Sequence, residues 1–420
     1  MTACTARTRR APGTATFAVL GILYWTAHSM LRPLIGTHVI ELGGTETEVS
    51  IALASYSIFP TILAVLIGAI TDRWGSRRLL RVGGALMIVG SALLFIPTLA
   101  AVIASQVVLG FGTLACWVSL QTFATMPRDD VEDRESRTKR IATFSLFVAF
   151  GQSVGPALGG GLQTLGGHTL AFAAYVALAT ALTIVALTLA PPASVTKTGT
   201  AAPLLGAYRE AVRMLRNRTV LVAVLASFTA LVIHDIRTAW QPVLLSGAGL
   251  EQWQIGIVLS TGALAGFAAR PFFAVLLRRL GQALMVGLVL VTAATSVTLV
   301  VIAPGNMAFL LVVSACSGFA VGFAQPLTLS MLSDEVPVER LGIASGLRSM
   351  GNQAALLASP ATFGAVSAVA SLGTAFLAVG GVAAAVGLTS GLLLAFPRRR
   401  PAVYDEPPAS PRPQEKASTP

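Results

Sequence analysis

The sequence predicts an all-α integral membrane protein: twelve transmembrane helices arranged as two six-helix pseudo-repeats around a central cavity. Three observations carry that prediction. Of the 420 residues, 54% are hydrophobic and only 11% charged, against roughly 25% charged in a soluble domain. The charges are clustered, which leaves apolar runs of about 20 residues, long enough to cross the hydrocarbon of a bilayer. Basic residues, finally, occupy every second loop, the pattern imposed when cationic loops stay on one side of a membrane.

The spans follow in order. The first, 16–39, comes after Arg7, Arg9 and Arg10, and the second, 49–71, ends before Arg73, Arg77, Arg78 and Arg81. The third, 79–97, is separated from the fourth, 99–124, by Pro97-Thr98 alone. Arg128, Arg134, Arg137, Lys139 and Arg140 introduce the fifth, 138–162, and the sixth covers 168–190. Lys197, Arg209, Arg213, Arg216 and Arg218 precede the seventh, 219–245; the eighth, 253–277, runs into Arg278 and Arg279 before the ninth, 282–302. Pro304-Gly305-Asn306 marks the boundary with the tenth, 305–332. Arg340 lies at the start of the eleventh, 339–366, and the twelfth, 371–396, stops at Arg398, Arg399 and Arg400. The opposite loops carry Glu41, Glu46, Glu48 and Glu251. This distribution places a multi-pass chain in the cell (inner) membrane with both termini cytoplasmic. It also assigns the net charge of +11 to topology and the lipid surface rather than to nucleic acid.

Arg9-Arg10 ahead of an apolar run is not read as an export signal, because the run is too long and no small-residue cleavage site follows. Cys4, Cys116 and Cys316 form neither a metal motif nor a disulfide framework. Residues 191–218 interrupt the pattern with Pro191-Pro192 and a basic stretch, of which Leu204–Arg218 suits a short amphipathic helix on the membrane surface. The expected organisation is a cytoplasmic tail at 1–15, a six-helix bundle at 16–190, a linker at 191–218, a second bundle at 219–396 and a disordered tail at 397–420. The bundles echo each other at an offset of about 205: His28 and Arg32 against His234 and Arg237, Gly75 against Gly281, Pro156 against Pro360. One shared offset reads as a duplicated unit, the parallel repeat of some transporters.

Two motifs stand in the first half. After the second span runs Gly68-Ala69-Ile70-Thr71-Asp72-Arg73-Trp74-Gly75-Ser76-Arg77-Arg78, in which a glycine permits a tight turn and arginines hold the loop at an anionic leaflet. Inside the fifth span lies Gly151-Gln152-Ser153-Val154-Gly155-Pro156-Ala157-Leu158-Gly159-Gly160-Gly161. Such a run is poor material for a soluble helix. In a membrane it suits close helix–helix packing. The first motif resembles the signature loop of the major facilitator superfamily, and the second resembles the antiporter motif of its twelve-helix drug:proton exporters, the multidrug and metabolite efflux branch. The resemblance extends over all twelve spans.

That resemblance implies alternating access, with Asp72 latching the cytoplasmic gate against the start of helix eleven and Gly151, Gly155, Pro156, Gly159 and Gly160 sealing helix five against proton leak. The gate loop has a degenerate second-half counterpart, with Arg278 in place of the aspartate. A departure occurs in helix four, where Gln106 stands in the place of the arginine found in many proton-coupled members.

Charges inside a membrane are functional candidates by default. Of 18 acidic residues, Asp235 alone is placed inside the hydrocarbon. It is a candidate proton carrier together with His28 and His234, and equally a candidate ion-pair partner for Arg32 or Arg237. His28 and Arg32 lie one turn apart on one helix face. Arg32, Arg237, Trp25, Gln121, Gln152, Asn352 and Gln353 are candidate cavity residues. Tyr24, Phe123 and Trp240 are further stacking candidates, Trp240 equally an interfacial anchor. Arg270 and Arg348 read as side chains that snorkel to the cytoplasmic interface.

The functional expectation is secondary active, proton-coupled efflux of a small amphipathic drug or metabolite. Because arginine outnumbers aspartate in the candidate cavity, a neutral or anionic substrate is expected. An importer of an organic solute or anion with the same fold is the first alternative, and a non-transporting membrane sensor the second. No nucleotide loop, nucleophile motif or metal-ligand spacing appears, which argues against an enzyme, a cofactor or a metal. The expected partners are the substrate, protons and membrane lipid, with a monomer sufficient for transport.

Overall fold

The computed structural model describes residues 14–125, 134–189, 212–336 and 341–396, with the side chains of 14, 59, 62–74, 121–125, 134–143, 145, 341–343 and 345–346 left undescribed. Every element among the described residues is helical. The first half contains α1 (Thr14–Glu41), α2 (Glu46–Trp74), α3 (Ser76–Ala92), α4 (Leu99–Thr125) and the long α5 (Arg134–Thr188). The second contains α6 (Arg218–Asp235), a π-turn (Ile236–Trp240), α7 (Gln241–Gly247), α8 (Gln252–Ala269), α9 (Phe273–Leu299), α10 (Met307–Glu335), α11 (Leu341–Val369) and α12 (Leu372–Ala395).

Among the described residues, twelve crossings emerge once two breaks are counted. In α5 the helical geometry fails at Gly166 and Gly167, so one continuous run supplies the fifth and sixth spans as two arms. In α9 it fails at Gly281 (φ 73°); the arm before it completes the eighth crossing and the arm after it forms the ninth. The π-turn joins α6 and α7 into the seventh. Gly75 (φ 81°) occupies the equivalent place between α2 and α3. The sequence echo of Gly75 and Gly281 is thus an echo of backbone shape, a left-handed corner that only glycine adopts without strain.

Helix starts are fixed by side-chain caps that occupy otherwise orphaned backbone donors. Asn217 accepts from the amides of Thr219 and Val220, Asn306 from Phe309, and Ser371 from Thr374. Glu251 and Gln254 form a capping box at the start of α8. Asn217 also donates to Glu335 at 2.7 Å, tying the start of α6 to the end of α10. Prolines 33, 60, 156, 326 and 360 lie inside helices, tolerated in a bundle where neighbours satisfy the freed backbone groups.

The largest apolar core runs across both halves. It joins Leu20, Met30, Leu53, Phe172 and Tyr175 to Ile236, Trp240, Phe363 and Phe376. Trp240 is completely buried and stacks 4.8 Å from Phe363, so it is a core residue and not an interfacial anchor. Leu264, Val312, Val382 and Leu388 project outward, as suits a surface facing lipid.

Glycines decide where the halves approach. On α5, a side chain at Gly155 would strike the backbone of Thr26 and Met30 in α1, and one at Gly159 the Met30 carbonyl. One at Gly160 would strike the Gln252 carbonyl of α8. Next to Pro156, the Ala157 amide donates to Ser260 Oγ of α8 at 3.0 Å. The motif segment therefore packs against α1 on one side and against the opposite half on the other. Gly161 faces open space and takes no part in the seam.

Candidate functional site

At the centre of the molecule α1 meets the end of α6. Arg32 donates through Nε to Asp235 Oδ1 at 3.1 Å, and its Nη2 meets the same oxygen. The pair spans the two halves. Asp235 is buried to 1% exposure and Arg32 largely so, to 10%. Tyr56 of α2 presents its ring to the guanidinium, 5.3 Å from the ring centre, an arrangement in which the aromatic quadrupole stabilises the cation.

A hydrogen-bonded relay runs from this pair into the first half. Thr113 of α4 donates its hydroxyl proton to the Leu109 carbonyl at 2.7 Å. Tyr56, 2.6 Å from the Thr113 oxygen, must then be the donor to it. His28 Nδ1 lies 3.3 Å from the Tyr56 oxygen, which is left to accept. That ordering assigns the His28 proton to Nδ1 and leaves Nε2 as an acceptor. Tyr24 donates to the Thr113 carbonyl at 3.0 Å. Trp25 stands edge-on to His28 (5.2 Å) and to Trp117 (5.0 Å), so the aromatic candidates of α1 border the relay.

On the other side of the pair the helix widens. The π-turn Ile236–Trp240 begins immediately after Asp235, and such bulges recur at functional sites because they re-aim side chains. Thr238 donates to the carbonyls of His234 (3.0 Å) and Asp235 (3.3 Å), satisfying groups the widened turn releases. Arg237, within the turn, is buried to 4% exposure, and its Nε and Nη1 make no hydrogen bond among the described residues. Asp235 Oδ2 likewise makes none. His234 lies within electrostatic reach of Arg237, Arg32 and His28, so all five titratable candidates of helices one and seven come together.

Tyr56, Gln106, Thr113 and Tyr175 complete the site and line a cavity with His28 and Arg32. It offers about 20 Å³, room for one water, so the space beside the polar groups is narrow. Gln106 lines this cavity as well. Tyr56, Thr113 and Tyr175 were not singled out from the sequence; hydroxyls scattered through apolar helices carry no periodic signal.

The remaining candidates lie elsewhere. Asn352 of α11 accepts from Ser227 at 2.7 Å, and Arg348 donates to the same Ser227 oxygen at 3.2 Å. Arg348 is thus engaged in a helix–helix contact rather than extended to an interface. The Gln353 backbone carbonyl accepts from Thr61 of α2 at 3.2 Å, a further contact between the halves. Gln152 is half-buried on α5. Gln121, Phe123, Gly68, Asp72 and Arg73 lie on helical backbone, with side chains outside those described. Arg77 is buried and Arg78 exposed just after the Gly75 corner.

Two six-helix bundles meet at an ion pair that bridges them, the architecture of a membrane transporter. The chain belongs to the Major Facilitator Superfamily, whose family model matches residues 17–305 and 282–419. Among solved structures it is similar to the nucleoside transporter NupG, with TM-score 0.75 and 15% identity over 91% of this chain and 99% of that one. It is also similar to a mutant of the peptide transporter POT, with TM-score 0.74 and 16% identity over 91% and 94%. At such identities the likeness is one of fold.

Proposed function

We propose that the protein exports a small neutral or anionic amphipathic drug or metabolite in exchange for protons, working as a monomer by alternating access in the cell membrane. The observation that carries this reading is the Arg32–Asp235 pair. Asp235 has one oxygen engaged by the guanidinium and the other without a hydrogen bond among the described residues. A proton arriving at Oδ2 neutralises the carboxylate, weakens the pair and frees both halves to separate. Release of the proton restores the pair and closes the centre. His28, with Nε2 as an acceptor at the end of the relay, and His234 are the candidate transfer groups.

The direction of transport rests on helix five. Its glycine–proline segment forms a tight seam against α1 and α8, as expected of a helix that blocks proton leak while substrate and proton move oppositely. Asp72 is assigned to the gate latch on sequence grounds. The substrate class rests on charge: two buried arginines, Arg32 and Arg237, stand against one carboxylate, and the free donors of Arg237 suit an anionic or hydrogen-bond-accepting ligand. The same excess favours, as a second reading, import of an organic anion with protons.

Everted membrane vesicles carrying an imposed proton gradient, reported by a pH-sensitive dye, test the proposal. Neutral, anionic and cationic amphiphiles are added to wild type and to Asp235→Asn. Gradient dissipation by neutral or anionic compounds, lost in the variant, is expected. Dissipation that survives Asp235→Asn removes Asp235 from the coupling path, and a response to quaternary cations alone refutes the substrate class. Silence from well-expressed, folded protein shifts the reading to import or sensing.

A further inference from the structure

At the end of the first half opposite the Gly75 corner, three side chains distant in sequence converge. His38 and Glu41 come from the last turn of α1, and His168 follows the Gly166–Gly167 break in α5. One ligand atom from each lies within 4.8 Å of the others. The rings of His38 and His168 are 4.7 Å apart, with exposures of 7% and 6%, whereas Glu41 is open to solvent.

Hydrogen bonding orients these groups as ligands. Thr37 donates its hydroxyl proton to the Leu34 carbonyl at 3.1 Å, so its oxygen accepts from His168 Nε2, 3.3 Å away. That puts the His168 proton on Nε2 and the lone pair on Nδ1, which meets Glu41 Oε2. With the ring proton on Nε2, this lone pair faces the carboxylate, a repulsion that either a second ring proton or a cation bound by both groups relieves. His38 Nδ1 lies 3.7 Å from the same oxygen, and neither of its ring nitrogens makes a hydrogen bond among the described residues, an expensive condition for a buried polar group. A metal-bound imidazole commonly has its other nitrogen hydrogen-bonded in this manner, and here Thr37 supplies that support.

We propose that His38, His168 and Glu41 form a binding site for a divalent first-row transition metal, Zn²⁺ being the ion that two imidazoles and a carboxylate suit best. The solvent-facing position beside Glu41 is left for water as a fourth ligand. The ion ties the end of α1 to the second arm of α5. Thr37, the support of His168, also lines a cleft with Ile40, Glu46, Val243 and Leu372; metal occupancy therefore stiffens one wall of the cleft between the halves.

The test uses the purified full-length protein in detergent, with any affinity tag removed. Zn²⁺ binding is followed by calorimetry and Co²⁺ binding by its visible absorption spectrum. One ion per chain is expected, with Co²⁺ bands lacking thiolate charge transfer, and Zn²⁺ raises the thermal midpoint. His38→Asn, His168→Asn and Glu41→Gln each weaken affinity at least about tenfold, and Thr37→Val weakens it less. Absence of Zn²⁺ or Co²⁺ binding by folded wild type overturns the proposal and leaves a histidine–carboxylate proton pair. Binding that persists unchanged in folded His38→Asn and His168→Asn overturns it equally, placing the ion on other ligands. If His168→Asn does not fold, the Co²⁺ spectrum of Glu41→Gln, whose side chain is exposed, decides.

Discussion

Replacing Asp235 by asparagine keeps the shape of the side chain while removing its charge, and leaves Arg32 inside the protein without a counter-ion. At 10% and 1% exposure the two side chains are in the buried regime, where breaking a pair by removing one partner costs about 3–5 kcal/mol. Exposed pairs, by contrast, are worth about 0–1 kcal/mol. Tyr56 continues to face the guanidinium at 5.3 Å and retains about 0.5–2 kcal/mol of cation–π stabilisation, so a loss near the lower end, about 3 kcal/mol, is expected. Arg32→Gln leaves the carboxylate unpaired and costs a similar amount. The double variant removes both charges and is more stable than the sum of the single losses by about 1–3 kcal/mol. Equilibrium unfolding of purified wild type, both single variants and the double variant in one detergent closes the cycle. Additivity within about 0.5 kcal/mol would refute the claim that this pair couples the halves.

Other expectations concern the seam, the corners, the relay and the substrate. Gly155→Leu, driven into the backbone of Thr26 and Met30, destabilises the fold by about 1–3 kcal/mol and abolishes transport, whereas Gly161→Leu, facing open space, leaves thermal stability near wild type. Alanine at Gly75 or Gly281, where φ is 81° and 73°, costs about 1–2 kcal/mol in unfolding measurements, equally in both halves if the repeat is structural. Tyr56→Phe removes the link between His28 and Thr113, lowering stability by about 0.5–1.5 kcal/mol; transport rates as a function of pH report whether the relay carries protons. Arg237→Gln weakens binding of anionic ligands more than of neutral ones, read as the ratio of the two affinities by calorimetry.

The parts of the fold that were legible in the sequence were those written in charge. Apolar spans and one-sided arginines follow from the cost of burying ions in hydrocarbon, which acts on each residue independently of its neighbours. Asp235 was legible for the same reason, as the one carboxylate with nowhere else to go, and its two possible arginine partners were already apparent. The choice between them was not settled there, because it depends on α1 packing against the end of α6, which brings Arg32 onto Asp235; Arg237, two residues along the same helix, faces another way. No propensity in Ile236-Arg237-Thr238-Ala239-Trp240 announces the π-turn that follows Asp235. The relay was equally hidden: Tyr56, Thr113 and Tyr175 come from three helices and acquire meaning only through 2.6–3.3 Å contacts or a shared cavity. The His38–Glu41–His168 group lacked the close spacing by which metal motifs are recognised, since α5 brings in His168 from far along the chain.

A narrow centre also constrains how our proposed cycle can run. With room for about one water beside Arg32, a substrate of drug size, which needs roughly 300 Å³ or more, enters only after the halves part. Parting them breaks contacts that include Arg32–Asp235, Ala157–Ser260, Thr164–Trp253 and Thr61–Gln353. The last three are neutral hydrogen bonds, each worth about 0.5–1.5 kcal/mol, and none responds to a proton gradient. The ion pair is stronger and is the contact that protonation weakens directly. An anionic substrate offers Arg32 and Arg237 a replacement for the carboxylate once Asp235 is neutral, so proton and anion would load the same state. A neutral substrate offers no such replacement and would compete with the re-formed pair, so proton and substrate would load alternately. Strict exchange against protons therefore favours the neutral end of the proposed substrate range, whereas anions favour co-movement. In the vesicle assay the sign of the pH change on adding each class separates these two regimes in a single protein.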